Sequence, residues 1–158
     1  MYSFDTNIFV DWWERRYPPD LFPSVRDRMT DLASTGRVLA VEVVRDELKA
    51  VTSDAGLLNW IKQWGSIFVP TDAAIQTEGA NIQRAFPGLL DPRARYVEAD
   101  PYVIALAKLR GLTVVTSETP ASAKHKAKRS HYVPDVCAAL QVPCVDLFAM
   151  MRKEGWTF

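Results

Sequence analysis

Apolar residues fall along this chain in short blocks, separated by stretches where they return every three or four positions. The first block, Tyr2-Ser3-Phe4, stops at Asp5 and runs into the helix-start residues Thr6-Asn7. It reads as a buried strand handing over to a helix from Asn7 to Arg16, which Tyr17-Pro18-Pro19 ends. Leu21, Val25, Met29 and Leu32 then lie at helical spacing between Leu21 and Ser34, and Thr35-Gly36 closes that helix. Arg37 to Val41 is a buried strand. In the next helix, Glu42 to Lys49, Val43, Val44, Glu47 and Leu48 share one broad face.

The second half repeats the theme. Leu57, Trp60, Ile61 and Trp64 mark one side of a helix from Asp54 to Trp64, and Ile67-Phe68-Val69 is a short strand stopped by Pro70. Asp72 caps a helix over Ala73 to Phe86, followed by a turn-rich loop from Pro87 to Arg95. Asp100-Pro101 opens a helix that Gly111 closes after Arg110. Leu112 to Thr116 is a β-branched strand, Val133 starts a short helix, Val142 to Val145 is the last strand, and Asp146 caps a final helix ending near Gly155. Strands alternating with helices predict an α/β fold: one domain over residues 1–158, a three-layer α/β/α sandwich around a central parallel sheet.

Composition narrows the class without naming a partner. With 158 residues, 48% of them hydrophobic, the chain has enough apolar side chains for a substantial single core. Nineteen basic and nineteen acidic residues cancel, so bulk charge points to neither nucleic acid nor membrane. No apolar run approaches the ~20 residues of a bilayer span. Tyr2 to Val10 is too short, and too interrupted by Asp5, for a signal peptide. Cys137 and Cys144 suggest no disulfide framework, which fits a reducing cytoplasm. His125, His131, Cys137 and Cys144 lack paired zinc-ligand spacing.

Acids at strand and helix ends change the picture. Asp5 and Glu118 each follow a buried strand, Asp100 begins a helix, and Glu47 lies early in a helix that follows a strand. In a parallel sheet all four positions share one edge, where open α/β sheets place their ligands. Taken singly, Asp5 and Asp100 read as N-caps worth ~1 kcal/mol, and Glu47 as an acid at the edge of its stripe. Taken together, four converging carboxylates repel one another unless a cation neutralises them. An all-oxygen donor set suits Mg²⁺ or Mn²⁺, ions that serve phosphodiester hydrolysis. A phosphatase with Asp5 as covalent nucleophile would need a second acid two residues on, where this chain has Asn7.

The pieces Phe4-Asp5-Thr6-Asn7, Val44-Arg45-Asp46-Glu47-Leu48, Ala99-Asp100-Pro101-Tyr102-Val103-Ile104-Ala105 and Val114-Val115-Thr116-Ser117-Glu118 occur in that order over most of the chain. The ordered set resembles the PIN-domain nucleases, in particular the toxin-like VapC branch. Val133-Pro134-Asp135-Val136-Cys137 and Val145-Asp146-Leu147-Phe148 look like a PIN-like subgroup of unassigned function. The resemblance implies a metal-dependent ribonuclease, the toxin of a toxin–antitoxin pair, with Asp5, Glu47, Asp100 and a fourth acid holding Mg²⁺ or Mn²⁺. It also implies supporting roles for Thr6, Asn7, Thr116 and Ser117.

The chain departs from the family at the fourth acid. Many members carry Thr-x-Asp where this chain has Thr116-Ser117-Glu118, so Asp135, which also follows a loop and opens a helix, rivals Glu118. Lys124, Lys126, Lys128 and Arg129 form a basic loop next to that strand, either an RNA phosphate contact or a solvated segment. Arg93 and Arg95 precede Asp100 in similar fashion. The implied partners are RNA and a protein antitoxin, which would meet the chain around Trp12, Trp13 and Tyr17. A homodimer is compatible with the sequence. A PIN-like module that binds RNA or protein without cutting is the alternative that Glu118 keeps open.

Overall fold

The computed structural model describes all residues 1–158. Five parallel strands form the central sheet: β1 (Tyr2–Phe4), β2 (Val38–Val41), β3 (Phe68–Val69), β4 (Thr113–Val115) and β5 (Cys144–Val145), in the order β3-β2-β1-β4-β5. Eight α-helices accompany them: α1 (Thr6–Val10), α2 (Pro23–Ser34), α3 (Glu42–Val51), α4 (Ala55–Gln63), α5 (Ala73–Ala85), α6 (Asp100–Arg110), α7 (Val133–Ala139) and α8 (Leu147–Lys153). The α/β architecture expected from the alternation is thus present. No helix is long and apolar enough to cross a membrane.

Topology fixes where a site can form. The chain steps outward from β1 to β2 and β3, then returns to β4 on the other side of β1. Tyr2 pairs with Val38 on one flank and with Thr113 on the other. The carboxyl ends of β1 and β4 therefore flank the point where the winding reverses, the crevice in which such sheets bind ligands. Asp5 stays tied to that point because its backbone N–H donates to Val115 O at 3.1 Å.

Core packing holds the β1–α1 junction rigid. Phe9, fully buried, meets Phe4 edge-on at 5.7 Å and stacks on Phe68 at 5.9 Å. Trp12 is 0% exposed and packs edge-on against Trp60 at 5.2 Å. Of the three residues expected to meet an antitoxin, Trp12 is therefore unavailable, whereas Trp13 and Tyr17 are half-buried. Burying this ring takes a device that apolar spacing does not show. The helix expected over Asn7 to Arg16 is α only to Val10, and Asp11–Arg15 widens into a π-turn, with Arg16 N–H donating to Asp11 O at 2.8 Å. The wider turn sends Trp12 into the core and Asp11 toward β4.

Other departures are small and have local causes. Ile67, expected in a strand, lies in a 3₁₀ turn over Gly65–Ile67 that precedes β3. Pro23 starts α2, leaving Leu21 and Phe22 exposed ahead of it. Gly79 lets α5 press against α6, since a Cβ there would stand 2.7 Å from the Tyr102 ring. Cys137 and Cys144 are free thiols.

Candidate active site

Asp5 leaves β1 and is 2% exposed. It occupies the N-cap position of α1 but makes no capping hydrogen bond. Its Oδ2 instead accepts from Asn7 Nδ2 at 2.6 Å and from Thr116 Oγ1 at 2.7 Å. Asn7 Oδ1 in turn accepts from Ser117 N–H at 2.8 Å, so the ends of β1 and β4 are stitched through three side chains. Thr116 Oγ1 also accepts from Glu118 N–H at 3.1 Å. The supporting quartet Thr6, Asn7, Thr116 and Ser117 thus lies at the junction, three of its members in this network.

Asp100 is no cap either. It is the first residue of α6, makes no capping bond and is 9% exposed. Burial, the nearby Asp5, Glu118 and Glu47 carboxylates, and only partial relief from Arg129 hold its carboxyl well above the ordinary range. Burial pushes Asp5 up to about 7, with Glu118 and Glu47 adding to the rise and the Thr116 hydrogen bond opposing it. Glu47 accepts from Ala99 N–H at 2.8 Å, which fixes its head beside the start of α6. Desolvation raises Glu47 as well, while its backbone bond and the neighbouring Thr6 favour the charged form.

The fourth corner separates the two rivals. Glu118 Oε1 accepts from Arg129 Nη2 at 2.8 Å and its Oε2 from Val133 N–H at 2.9 Å. Its charge raises both Asp5 and Asp100, so it belongs electrostatically to the cluster. Asp135 Oδ2 instead accepts from Tyr132 N–H at 2.8 Å and from Ala121 N–H at 3.0 Å, work that caps α7 and ties down a loop.

Two participants were not foreseen. Glu98 accepts from Asp91 N–H at 2.8 Å, is raised by burial, and lies 3.9 Å from Arg129 Nη1. An acid two residues ahead of Asp100 was its only signal in the sequence. Asp11, buried in the π-turn, accepts from Ser117 Oγ and pairs with Arg15 at 3.3 Å and Arg16 at 3.4 Å. Within the basic loop, Lys126 and Lys128 are exposed, but Arg129 turns inward to the acids.

These residues suit a hard divalent cation. Five carboxylates (Asp5, Glu47, Glu98, Asp100 and Glu118) gather here and Arg129 lies within 4 Å of three of them, Glu98, Asp100 and Glu118; all donors are oxygens, and Thr6 Oγ1 is buried beside Glu47 without a partner that meets hydrogen-bond geometry. No three His, Cys, Asp or Glu side chains stand close enough to make a finished coordination shell, and Arg129 holds one of the Glu118 oxygens.

Comparison with solved structures gives the fold a family setting. FitAcB from Neisseria gonorrhoeae is similar over 91% of this chain and 96% of its own, at 20% identity and a TM-score of 0.52. FitAB bound to an IR36 DNA fragment is similar over 92% and 94%, at 17% identity and 0.52. VapBC2 from Rickettsia felis, bound to a DNA fragment from its promoter, is similar over 74% and 86%, at 16% identity and 0.50. No curated protein matches the sequence. The model of one sequence family, a domain of unknown function, matches residues 2–158. The fold is therefore the PIN-domain fold shared with these FitAcB, FitAB and VapBC2 structures, and the chain belongs to the family described as domain of unknown function DUF4411.

Proposed function

We infer that this chain is a metal-dependent endoribonuclease and the toxin of a toxin–antitoxin pair. One observation carries the reading: Asp5 and Asp100, both buried, meet at the switch point of a parallel sheet beside Glu47 and Glu118, where Arg129 supplies the neighbouring positive charge. Groups of this kind, buried and in a crevice, mark functional sites. Asp5, Asp100 and Glu47 would hold Mg²⁺ or Mn²⁺, with Glu118 as the fourth acid. When bound, the ion supplies charge neutralisation, activation of water and stabilisation of the leaving oxygen.

The chain's own residues do the positioning. Asn7 and Thr116 fix Asp5 Oδ2, which leaves Oδ1 as the oxygen free of these two donors and available to a cation. Ala99 N–H fixes Glu47, and Asp100 is anchored by the rigid start of α6. The exposed Lys126 and Lys128 give substrate phosphates an electrostatic hold beside the site.

The solved relatives FitAB and VapBC2 are assemblies by their names, and here too a proteinaceous antitoxin is the expected partner. With Trp12 buried, the expected contact keeps Trp13 and Tyr17, and Tyr17 meets Phe22 edge-on at 5.4 Å and Phe148 at 6.4 Å. Phe22 and Phe148 are both exposed, as large aromatic anchors at interfaces should be before docking. The chain is expected to act in the cytoplasm.

The reading is tested by incubating a single-stranded RNA with the protein and Mn²⁺, then chelating the metal. Cleavage should stop on chelation and should fall at least ~100-fold in Asp100→Asn. Cleavage that survives chelation, or that Asp100→Asn leaves unchanged, refutes the assigned site. RNA binding without any cleavage favours the non-cleaving module, the second reading that the engagement of both Glu118 oxygens supports.

A further inference from the structure

We propose that residues 124–132 form a built-in strap that seats Arg129 in the acid site as its resting counter-ion, and that a divalent cation must displace it. The inference rests on the metal-site reading above.

Arg129 is held from several sides. Its Nη2 donates to Glu118 at 2.8 Å, while Nη1 donates to Leu89 O at 2.6 Å and lies 3.7 Å from Asp100 Oδ2 and 3.9 Å from Glu98. The guanidinium carbon lies 4.6 Å from the Tyr132 ring centroid, and Lys124 Nζ approaches the same ring at 4.3 Å. The Arg129 side chain is only 20% exposed in a loop whose Lys126 and Lys128 are open to solvent.

The strap is docked by contacts that do not involve the acids. Gly88 packs closely on Ser130: a Cβ there would stand 1.9 Å from Ser130 Oγ and 3.2 Å from Ser130 Cβ, so a larger residue would force the serine to turn away. His131 meets Phe86 edge-on at 5.3 Å, and Tyr132 Oη accepts from Lys128 N–H at 3.2 Å. Asp135 gathers the N–H groups of Ala121 and Tyr132, one near each end of the segment.

Competition follows from valence and geometry. One guanidinium brings a single charge to five carboxylates and offers donors in a plane, whereas Mg²⁺ or Mn²⁺ needs oxygens arranged around it. Arg129 occupies Glu118 Oε1 and Val133 N–H occupies Oε2, so a cation that took Glu118 as a ligand would have to displace one of these donors, and the charged guanidinium is the one it repels. Occupancy by one cation therefore disfavours the other. When the metal enters, Arg129 leaves, the strap loses the ion pairs that add to its other docking contacts, and Arg129 joins the already exposed Lys126 and Lys128 in meeting substrate phosphates.

The test needs no RNA. Mn²⁺ binding is measured by calorimetry on the wild type, Arg129→Gln and Asp5→Asn, and hydrogen exchange over residues 124–132 is followed in the wild type with and without Mn²⁺. The proposal expects Arg129→Gln to bind Mn²⁺ about tenfold more tightly and Mn²⁺ to speed exchange in the strap of the wild type. Binding that depends on Asp5 but is equal or weaker in Arg129→Gln overturns the strap while leaving the metal site standing, as does exchange that Mn²⁺ slows or leaves unchanged. Binding that is absent, or indifferent to Asp5→Asn, overturns both readings. Should Arg129→Gln fail to fold, the exchange measurement on the wild type decides alone.

Discussion

Asp5→Asn should lower RNA cleavage by about 100–1,000-fold or more, and it should do so without unfolding the protein. The reason is geometric. Both donors to Asp5, Asn7 Nδ2 and Thr116 Oγ1, converge on the same oxygen, Oδ2. An asparagine can place its amide oxygen there and keep both hydrogen bonds, which leaves its NH₂ at the Oδ1 position. That swap removes one anionic metal ligand and adds two hydrogen-bond donors at the position available to a cation. The metal-free protein should become more stable, because a buried carboxylate short of counter-charge gives way to a neutral group. Loss of activity with retained or raised thermal stability separates a role in the site from a role in the fold. Cleavage and melting measured on the same preparation check it, and a variant that stays active would remove Asp5 from the mechanism.

The second large effect is a pH dependence of stability that metal should reverse. Asp5 ionises near its ordinary value of 3.8 when unfolded and near 7 when folded. Between those values the folded state binds the proton more tightly, so stability is greatest at the acidic end and falls as pH rises toward 7. The full gap is worth on the order of 4 kcal/mol. Asp100, Glu47 and Glu98 are raised too and act with the same sign. Melting of the metal-free protein should therefore come about 4–8 °C lower at about pH 8 than at about pH 5.5. Saturating Mn²⁺ should flatten or invert that trend, because it binds the deprotonated acids. Asp5→Asn should shrink the slope. A metal-free protein that gains stability from pH 5.5 to 8 would contradict the buried acid cluster.

The sequence made some parts of this site readable and hid others. Asp5, Glu47 and Asp100 could be placed because their positions follow from local pattern. Each sits where an apolar block ends or a helical stripe begins, and parallel topology then brings such ends together. The topology also explains why Asp5 and Asp100 cap nothing, since a buried edge offers them neighbours other than their own helix. Arg129 was different. The six-residue run from Lys124 to Arg129 looks alike along its length, yet Lys126 and Lys128 face water and Arg129 reaches Leu89, 40 residues away in sequence. Nothing periodic encodes that turn inward; the contacts that hold it, to Leu89 O, Glu118 and the Tyr132 ring, come from elsewhere in the chain. The π-turn was hidden for a similar reason. Trp12 and Trp13 follow one another in sequence, and within the widened turn the first ring is fully buried while the second stays half-buried.

Asp135 illustrates how a shared sequence signal divides into two structural roles. Both were candidates for the fourth acid, Glu118 just past β4 and Asp135 in the first turn of α7, but Asp135 uses its carboxylate to gather backbone N–H groups, and Glu118 directs its charge into the cluster. The extra methylene of Glu118 lets it reach Arg129 and Val133 N–H together.

The central claim, that these carboxylates form a divalent-metal site, is tested most directly by anomalous diffraction from crystals soaked in Mn²⁺. The account predicts a peak about 2 Å from carboxylate oxygens of both Asp5 and Asp100, with Glu47 and Glu118 turned toward it and Arg129 withdrawn from Glu118. A well-ordered, fully soaked crystal with no peak between Asp5 and Asp100 would contradict it, as would a peak held by Asp135 or the Cys137–Cys144 region instead.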